Sequence, residues 1–167
     1  LILDLCTGSG CIALALAREF RASKVIGSDI SKKAIAYAKK NGLLNGIDNV
    51  QFLTGPLFGP VKGLRFDLIV SNPPYIRTEE IPELQREISE WEPRGALDGG
   101  PDGLEFYRKI FGEAPVHLRE RGVIAVELGF GQATAVGKIA EDSGLQKISV
   151  KKDFAGIERI LTARKPG

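Results

Sequence analysis

The chain has 167 residues, 43% hydrophobic and 26% charged, which suits one ordinary domain with a single packed core and excludes global disorder. A formal net charge of +2 is too weak to argue for a nucleic-acid surface, so direct nucleic-acid binding is not indicated. With two cysteines, Cys6 and Cys11, and a single histidine, His117, no Cys/His set for zinc can be assembled and no metal is expected.

The first residues, Leu1-Ile2-Leu3-Asp4-Leu5, read as a short buried strand. A chain that opens inside such a strand, without Met, is expected to be an excised domain: residues 1–167 form one domain whose upstream part is missing. A glycine-rich turn then leads into an Ala- and Leu-rich helix over 11–20, and 24–29 reads as a second strand ending in a charge. Ser31 is the expected N-cap of a helix reaching about Asn45, with Ala34, Ile35, Ala38 and Leu43 along one face. Residues 49–54 form the third strand. A loop over 55–65 follows, punctuated by Pro56, Gly59, Pro60 and Gly63, and then an almost wholly apolar fourth strand over 66–71.

Beyond Tyr75 comes a long insertion, polar and partly helical over 79–91, then loop over 94–103. A helix is expected over 104–119, a strand over 123–128 and a helix over 132–143. Two last strands, 146–152 and 157–163, are separated only by Asp153-Phe154-Ala155-Gly156, which requires an antiparallel hairpin. Apolar strands alternating with helices predict an α/β domain: a mostly parallel seven-stranded sheet, helices on both faces, ending in that hairpin. No apolar run spans a bilayer and no signal segment is visible, so a soluble, cytoplasmic protein without membrane contact is expected.

Chemistry concentrates in two loops. Asp4-Leu5-Cys6-Thr7-Gly8-Ser9-Gly10 joins a strand to a helix, where Gly8 and Gly10 let the backbone turn sharply and approach a ligand. About twenty residues on, Asp29 ends the second strand, where a carboxylate can accept from both hydroxyls of a ribose. The third glycine of a dinucleotide pattern is replaced by Ala13. Asp4 is either a cap for the loop or the holder of an ammonium group, which S-adenosylmethionine has and NAD lacks. The cofactor set expected on this basis is Asp4, Thr7, Gly8, Gly10, Asp29, Ile30 and Asn72.

The second loop, Asn72-Pro73-Pro74-Tyr75, follows the fourth strand, which in this topology neighbours the first. Residues before proline are pushed to extended geometry, and neither Pro73 nor Pro74 has an N–H, so a stiff segment presents carbonyl acceptors beside the Asn72 side-chain oxygen. An NH₂ on a planar carbon is a poor nucleophile because its lone pair is delocalised. Two acceptors on its hydrogens can turn that lone pair toward a methyl donor while Tyr75 stacks on the plane. The plain alternative is a proline turn ending a strand. Elsewhere, Cys6 and Cys11 read as small packing residues, His117 as a solvated residue, and Lys32-Lys33 and Lys39-Lys40 as the wet face of a helix. Trp91 either packs under the insertion or touches a substrate.

Nearly the whole chain resembles the HemK/PrmC family, the glutamine methyltransferases of peptide-chain release factors. The matching residues are the Asp4–Gly10 loop, Asp29, Asn72-Pro73-Pro74-Tyr75, and Glu92-Pro93 followed by Ala96-Leu97-Asp98-Gly99-Gly100 and Asp102-Gly103-Leu104. Tyr107-Arg108, Glu127-Leu128-Gly129 with Gln132, and Asp153 with Gly156 and Arg159 complete the likeness. The resemblance implies a Rossmann-like class I fold, S-adenosylmethionine as cofactor, and a release-factor Gly-Gly-Gln segment as substrate. Catalysis would fall to Asn72, Pro73 and Tyr75, and substrate binding to these with Pro74 and Glu92. Two features depart from the family. Pro56 stands where an acidic residue near adenine is usual, and the family's N-terminal helical domain is expected to be missing from this stretch of sequence. The competing readings are a nucleic-acid amino-group methyltransferase acting on adenine or cytosine, an inactive cofactor-binding subunit, and a dehydrogenase.

Overall fold

Alternation decides the layers. Along the first two strands, β1 (Ile2–Leu5) and β2 (Val25–Asp29), Ile2 and Val25 pack into one apolar cluster while Leu3, Leu5 and Ile26 pack into another. Successive side chains of a strand leave on opposite faces, so a strand apolar throughout needs cover on both. In the computed structural model, which describes residues 1–86 and 92–167, helices α1 (Cys11–Glu19) and α2 (Lys32–Leu44) cover the smaller cluster. Two others, α4 (Glu105–His117) and α5 (Ala133–Asp142), cover the larger.

The remaining strands are β3 (Val50–Thr54), β4 (Phe66–Ser71), β5 (Leu118–Glu127), β6 (Gln146–Lys152) and β7 (Glu158–Arg164). Together they form the expected seven-stranded sheet, in the order β3-β2-β1-β4-β5-β7-β6. The pairs from β3 through β5 are parallel; β7 runs antiparallel to both β5 and β6. Chain order reverses between β1 and β4, and in open sheets of this kind the crevice at such a switch point, beyond the carboxyl ends of the strands, receives the ligand. Ser31 caps α2 as expected, accepting from Ala34 N at 3.2 Å.

Three local expectations need correction. The helix expected to reach residue 119 stops at His117, and Leu118 already belongs to β5. There β5 pairs Leu118 with Phe66 and then Val123 with Leu68, so residues 119–122 bulge opposite Asp67. Good helix formers are overridden because Leu118 is fully buried and Arg119 donates to the Asp67 carboxylate at 3.0 and 3.1 Å. Within the segment expected to be loop, Arg94–Leu97 makes one helical turn, α3. His117 is 7% exposed rather than solvated, stacked on Phe58 at 4.5 Å with Nδ1 3.1 Å from Leu64 O. In the insertion, Ile81–Glu83 forms a 3₁₀ turn, while Trp91 lies outside the described residues.

Candidate active site

The glycine loop leaves β1 and is wound tightly around Asp4. That carboxyl is 1% exposed, and its Oδ2 accepts from Thr7 Oγ1 at 2.6 Å and from Ala13 N, in the first turn of α1, at 3.0 Å. Asp4 is therefore a loop and helix cap. Its other oxygen, Oδ1, is the one buried side-chain polar atom among the described residues without a hydrogen-bond partner. Burial pushes the carboxyl up to about 7 against its hydrogen bonds from Thr7 and Ala13. A cation beside Oδ1 would satisfy the orphan and favour the ionised form.

Gly10 is held at φ +85°, and a Cβ there would lie 2.9 Å from Phe52 Cζ and 3.0 Å from Ala38 Cβ. Gly8, at φ +56°, is different: a Cβ would meet nothing within 4 Å, so open space adjoins the loop at this point. Asp29 stands beside it, accepting from Gly8 N at 2.9 Å through Oδ2 and from Ser31 N at 2.8 Å through Oδ1. Each carboxylate oxygen has two acceptor sites, so the Asp29 carboxylate keeps capacity for ribose hydroxyls while it ties the loop to the start of α2. Ile30 follows, 73% exposed. Pro56 is also exposed, in the loop after β3.

The Asn-Pro-Pro-Tyr segment leaves β4 at the same level as the glycine loop leaves β1. Leu5 pairs with Ser71 in register, and Ser71 Oγ donates to Leu5 O at 2.9 Å. Cys6 and Asn72 are thus the first residues past adjacent strand ends. Asn72 is exposed, whereas Pro73 and Pro74 are buried, a stiff base under an accessible side chain. The partly buried Tyr75 donates its hydroxyl to Glu127 Oε1 at 3.1 Å. Burial and the Glu127 carboxylate both raise its phenol above the ordinary tyrosine range.

The expected cofactor residues are brought together at this edge, and so are Asn72, Pro73, Pro74 and Tyr75. Glu92 is exposed and makes no described hydrogen bond to them. Sequence reasoning missed the support behind Tyr75. Its carbonyl accepts from Gln132 Nε2 at 2.9 Å, and a Cβ on Gly99 would come 2.7 Å from its Cα. Tyr107, fully buried, donates to the carbonyl of Glu127 at 2.7 Å, and Arg159 donates to Leu128 O at 3.2 Å. The block of glycines, Glu127, Gln132 and Arg159 was visible in the sequence, but only as a resemblance without roles. Cys11 is exposed beside Ser9 Oγ at 3.2 Å, not the packing residue expected, because it sits at the open start of α1. Cys6 is partly buried, with a positive φ of 57°, and burial pushes its thiol up to about 12, which makes it a poor nucleophile. No group of three or more potential metal ligands occurs among the described residues, and no helix there is long and apolar enough to cross a membrane. A cavity of about 600 Å³ lies elsewhere, lined by Phe58, Lys62, Arg65 and His117 near the start of β4.

Comparison with known proteins gives concordant results. A family model described as a methyltransferase domain matches residues 1–143. Release factor glutamine methyltransferase of Thermodesulfovibrio yellowstonii is 51% identical over 164 residues, 98% of this chain and 59% of that protein. The protein of the same name from Fusobacterium nucleatum is 44% identical over 165 residues, 98% of this chain and 47% of its own length. The chain therefore spans about half the length of the curated relatives it matches. Among solved structures, a methyltransferase from Pyrococcus furiosus superposes with a TM-score of 0.75 at 22% identity, covering 100% of this chain and 75% of that one. Ribosomal protein L11 methylase of Lactobacillus delbrueckii subsp. bulgaricus gives a TM-score of 0.70 at 24% identity, covering 98% and 69%. At these identities the structural likeness concerns the fold.

Proposed function

Because this chain belongs to the methyltransferase-domain family, we propose that it carries the catalytic centre of a release factor glutamine methyltransferase, transferring a methyl group from S-adenosylmethionine to a glutamine side-chain nitrogen. The fold premise is the class I sheet with its terminal hairpin. The observation that carries the chemistry is the Leu5–Ser71 register, which sets the glycine loop and the Asn72 segment side by side. Identity of 51% to a protein named for this activity supports the choice of acceptor.

The residues present fit the cofactor. Asp4, with its unpartnered oxygen, suits the ammonium; Asp29 suits the ribose; the open space at Gly8 admits a ligand against the backbone. When bound, S-adenosylmethionine supplies a sulfonium methyl group. Asn72 Oδ1 and the Pro73 carbonyl accept the two hydrogens of the glutamine amide and hold its nitrogen with the lone pair out of the amide plane. Buried Pro73 and Pro74 keep those acceptors from rotating away, so the cost of ordering them is met in folding. Tyr75 packs on the amide plane. The methylated nitrogen sheds its proton after the N–CH₃ bond has formed and the methyl–sulfur bond has broken, its electron pair staying on sulfur, so no strong general base is required.

Residues 1–167 act in this reading as one methyltransferase domain, its partner a release factor. Two free thiols accord with a cytoplasmic setting. The test is transfer of labelled methyl to a release factor by the wild type and by Asn72→Ala. Losing a positioned acceptor should lower kcat by about a hundredfold or more while cofactor binding persists. Full activity of Asn72→Ala, or label appearing in DNA or RNA and not in release factor, overturns the proposal.

A further inference from the structure

Tyr75 is gripped at both ends by side chains that the proposed chemistry has not used. Gln132, the residue before α5, places its amide between three segments. Oε1 accepts from Gly129 N at 3.0 Å, and Nε2 donates to Tyr75 O at 2.9 Å and to Gly103 O at 3.3 Å. The orientation of this amide is fixed by its partners: reversed, it would aim its oxygen at two carbonyls and its NH₂ at an N–H. Three glycines close the joint. A Cβ on Gly103 would lie 2.6 Å from Tyr75 O and 2.7 Å from Gln132 Nε2, and one on Gly129 would lie 2.5 Å from Gln132 Oε1 and 3.0 Å from Tyr75 Cδ2. One on Gly99 would collide with the Tyr75 backbone at 2.7 Å. Such backbone-to-backbone contact leaves Tyr75 no room to shift while Gln132 is in place. At the other end of the residue, Glu127 receives the phenol.

We propose that Gln132, together with Glu127, is a positioning residue for methyl transfer, one that locks the Tyr75 carbonyl and ring and through them sets the Asn72–Pro73 acceptors. This rests on the activity proposed above. The Pro73 carbonyl lies two residues from the carbonyl that Gln132 holds, and the intervening proline is rigid. Its ring fixes one of the torsions between the two carbonyls, so a change in the grip at Tyr75 has fewer backbone rotations to absorb it before it reaches the acceptors. Gln132 itself touches no reacting atom.

The decisive variant is Gln132→Glu. Its carboxylate keeps an acceptor for Gly129 N but turns an oxygen toward two carbonyls. That environment raises its pKa, and protonation restores one donor. With release factor and labelled S-adenosylmethionine, kcat of Gln132→Glu should fall about a hundredfold, cofactor affinity should stay within about twofold, and the variant-to-wild-type kcat ratio should climb from about pH 8 to about pH 6. A merely structural residue would not produce that climb. In parallel, amide exchange is followed in the wild type and in Gln132→Ala. Ile76 N–H, bonded to Leu97 O at 2.9 Å, and Thr78 N–H, bonded to Gly100 O at 3.0 Å, should exchange faster in the variant, with α2 unchanged. Unaltered exchange at these amides overturns the inference whatever the activity, and so does a kcat equal to the wild type's or a ratio flat with pH. A wild type that transfers no methyl to release factor defeats the proposed function, and the exchange measurement then still decides whether Gln132 fixes Tyr75.

Discussion

A buried carboxyl with one satisfied oxygen and one orphan is costly to keep charged, and Asp4 shows it by holding its proton up to about pH 7. The unfolded carboxyl releases its proton near 3.8, so between these values the folded state binds more protons than the unfolded one. The stability of the cofactor-free chain should accordingly decline as pH rises across that window, by on the order of a few kcal/mol, and level off above it. Asp4→Asn retains an acceptor for Thr7 and Ala13 and cannot ionise, so its unfolding midpoint in urea should lose this slope. The same variant should bind S-adenosylmethionine at least about tenfold more weakly by calorimetry, since one charged partner is gone. A variant with the wild-type slope and affinity would refute both roles. Asp29 and Asn72 were legible in the sequence as positions at or just past a strand end, which faces the crevice, and Asp4 as the acidic residue one place short of the end of β1, although its side chain is buried. Gln132 was not legible. Its partners, Tyr75 and Gly103, are 57 and 29 residues away, and no local pattern reports which loops a side-chain amide will join.

Elements were legible where period and caps agreed, as in α2 with Ser31 at its start. They failed where a tertiary contact outweighed propensity, as at Leu118, which leaves α4 to pair with Phe66. The strand–loop–helix unit from β1 to α1 offers a sharper contrast, because its two glycines differ in surroundings and not in backbone type. Gly10→Ala must force a Cβ against Phe52 and Ala38 at a positive φ, so it should destabilise the chain by about 2–4 kcal/mol, strain and overpacking combined, seen as a lower thermal midpoint. At Gly8, with open space around it, alanine should cost only the left-handed backbone penalty of about 1–2 kcal/mol yet sharply weaken cofactor binding, because the new methyl occupies the space left for the ligand. The pair separates folding from binding within one loop. Equal loss of stability and equal affinity in the two variants would mean that the space at Gly8 is not the ligand's.

At the scale of the molecule, the reversal of strand order between β1 and β4 makes one crevice serve both loops, while the two apolar clusters on opposite faces keep the sheet rigid beneath it. A dinucleotide dehydrogenase could share the parallel half of such a sheet, and Ala13 in place of a third glycine does not separate the two, since alanine is tolerated there. The distinction lies in the charge balance of the crevice. Asp4 leaves an unpartnered oxygen that a bound ammonium would complete and hold in the ionised form, whereas the pyrophosphate of NAD would bring two negative charges near Asp4 and Asp29. Ligand that binds only the folded chain stabilises it by about 2.7 kcal/mol at a hundred times Kd, which for a domain of this size raises the thermal midpoint by about 5–10 °C. Saturating S-adenosylmethionine should produce that rise, NAD at the same concentration should leave the midpoint unchanged, and Asp4→Asn should shrink the shift. A rise with NAD alone would reassign the crevice, since the ligand would then have found its stabilisation without a cation for Asp4 to hold.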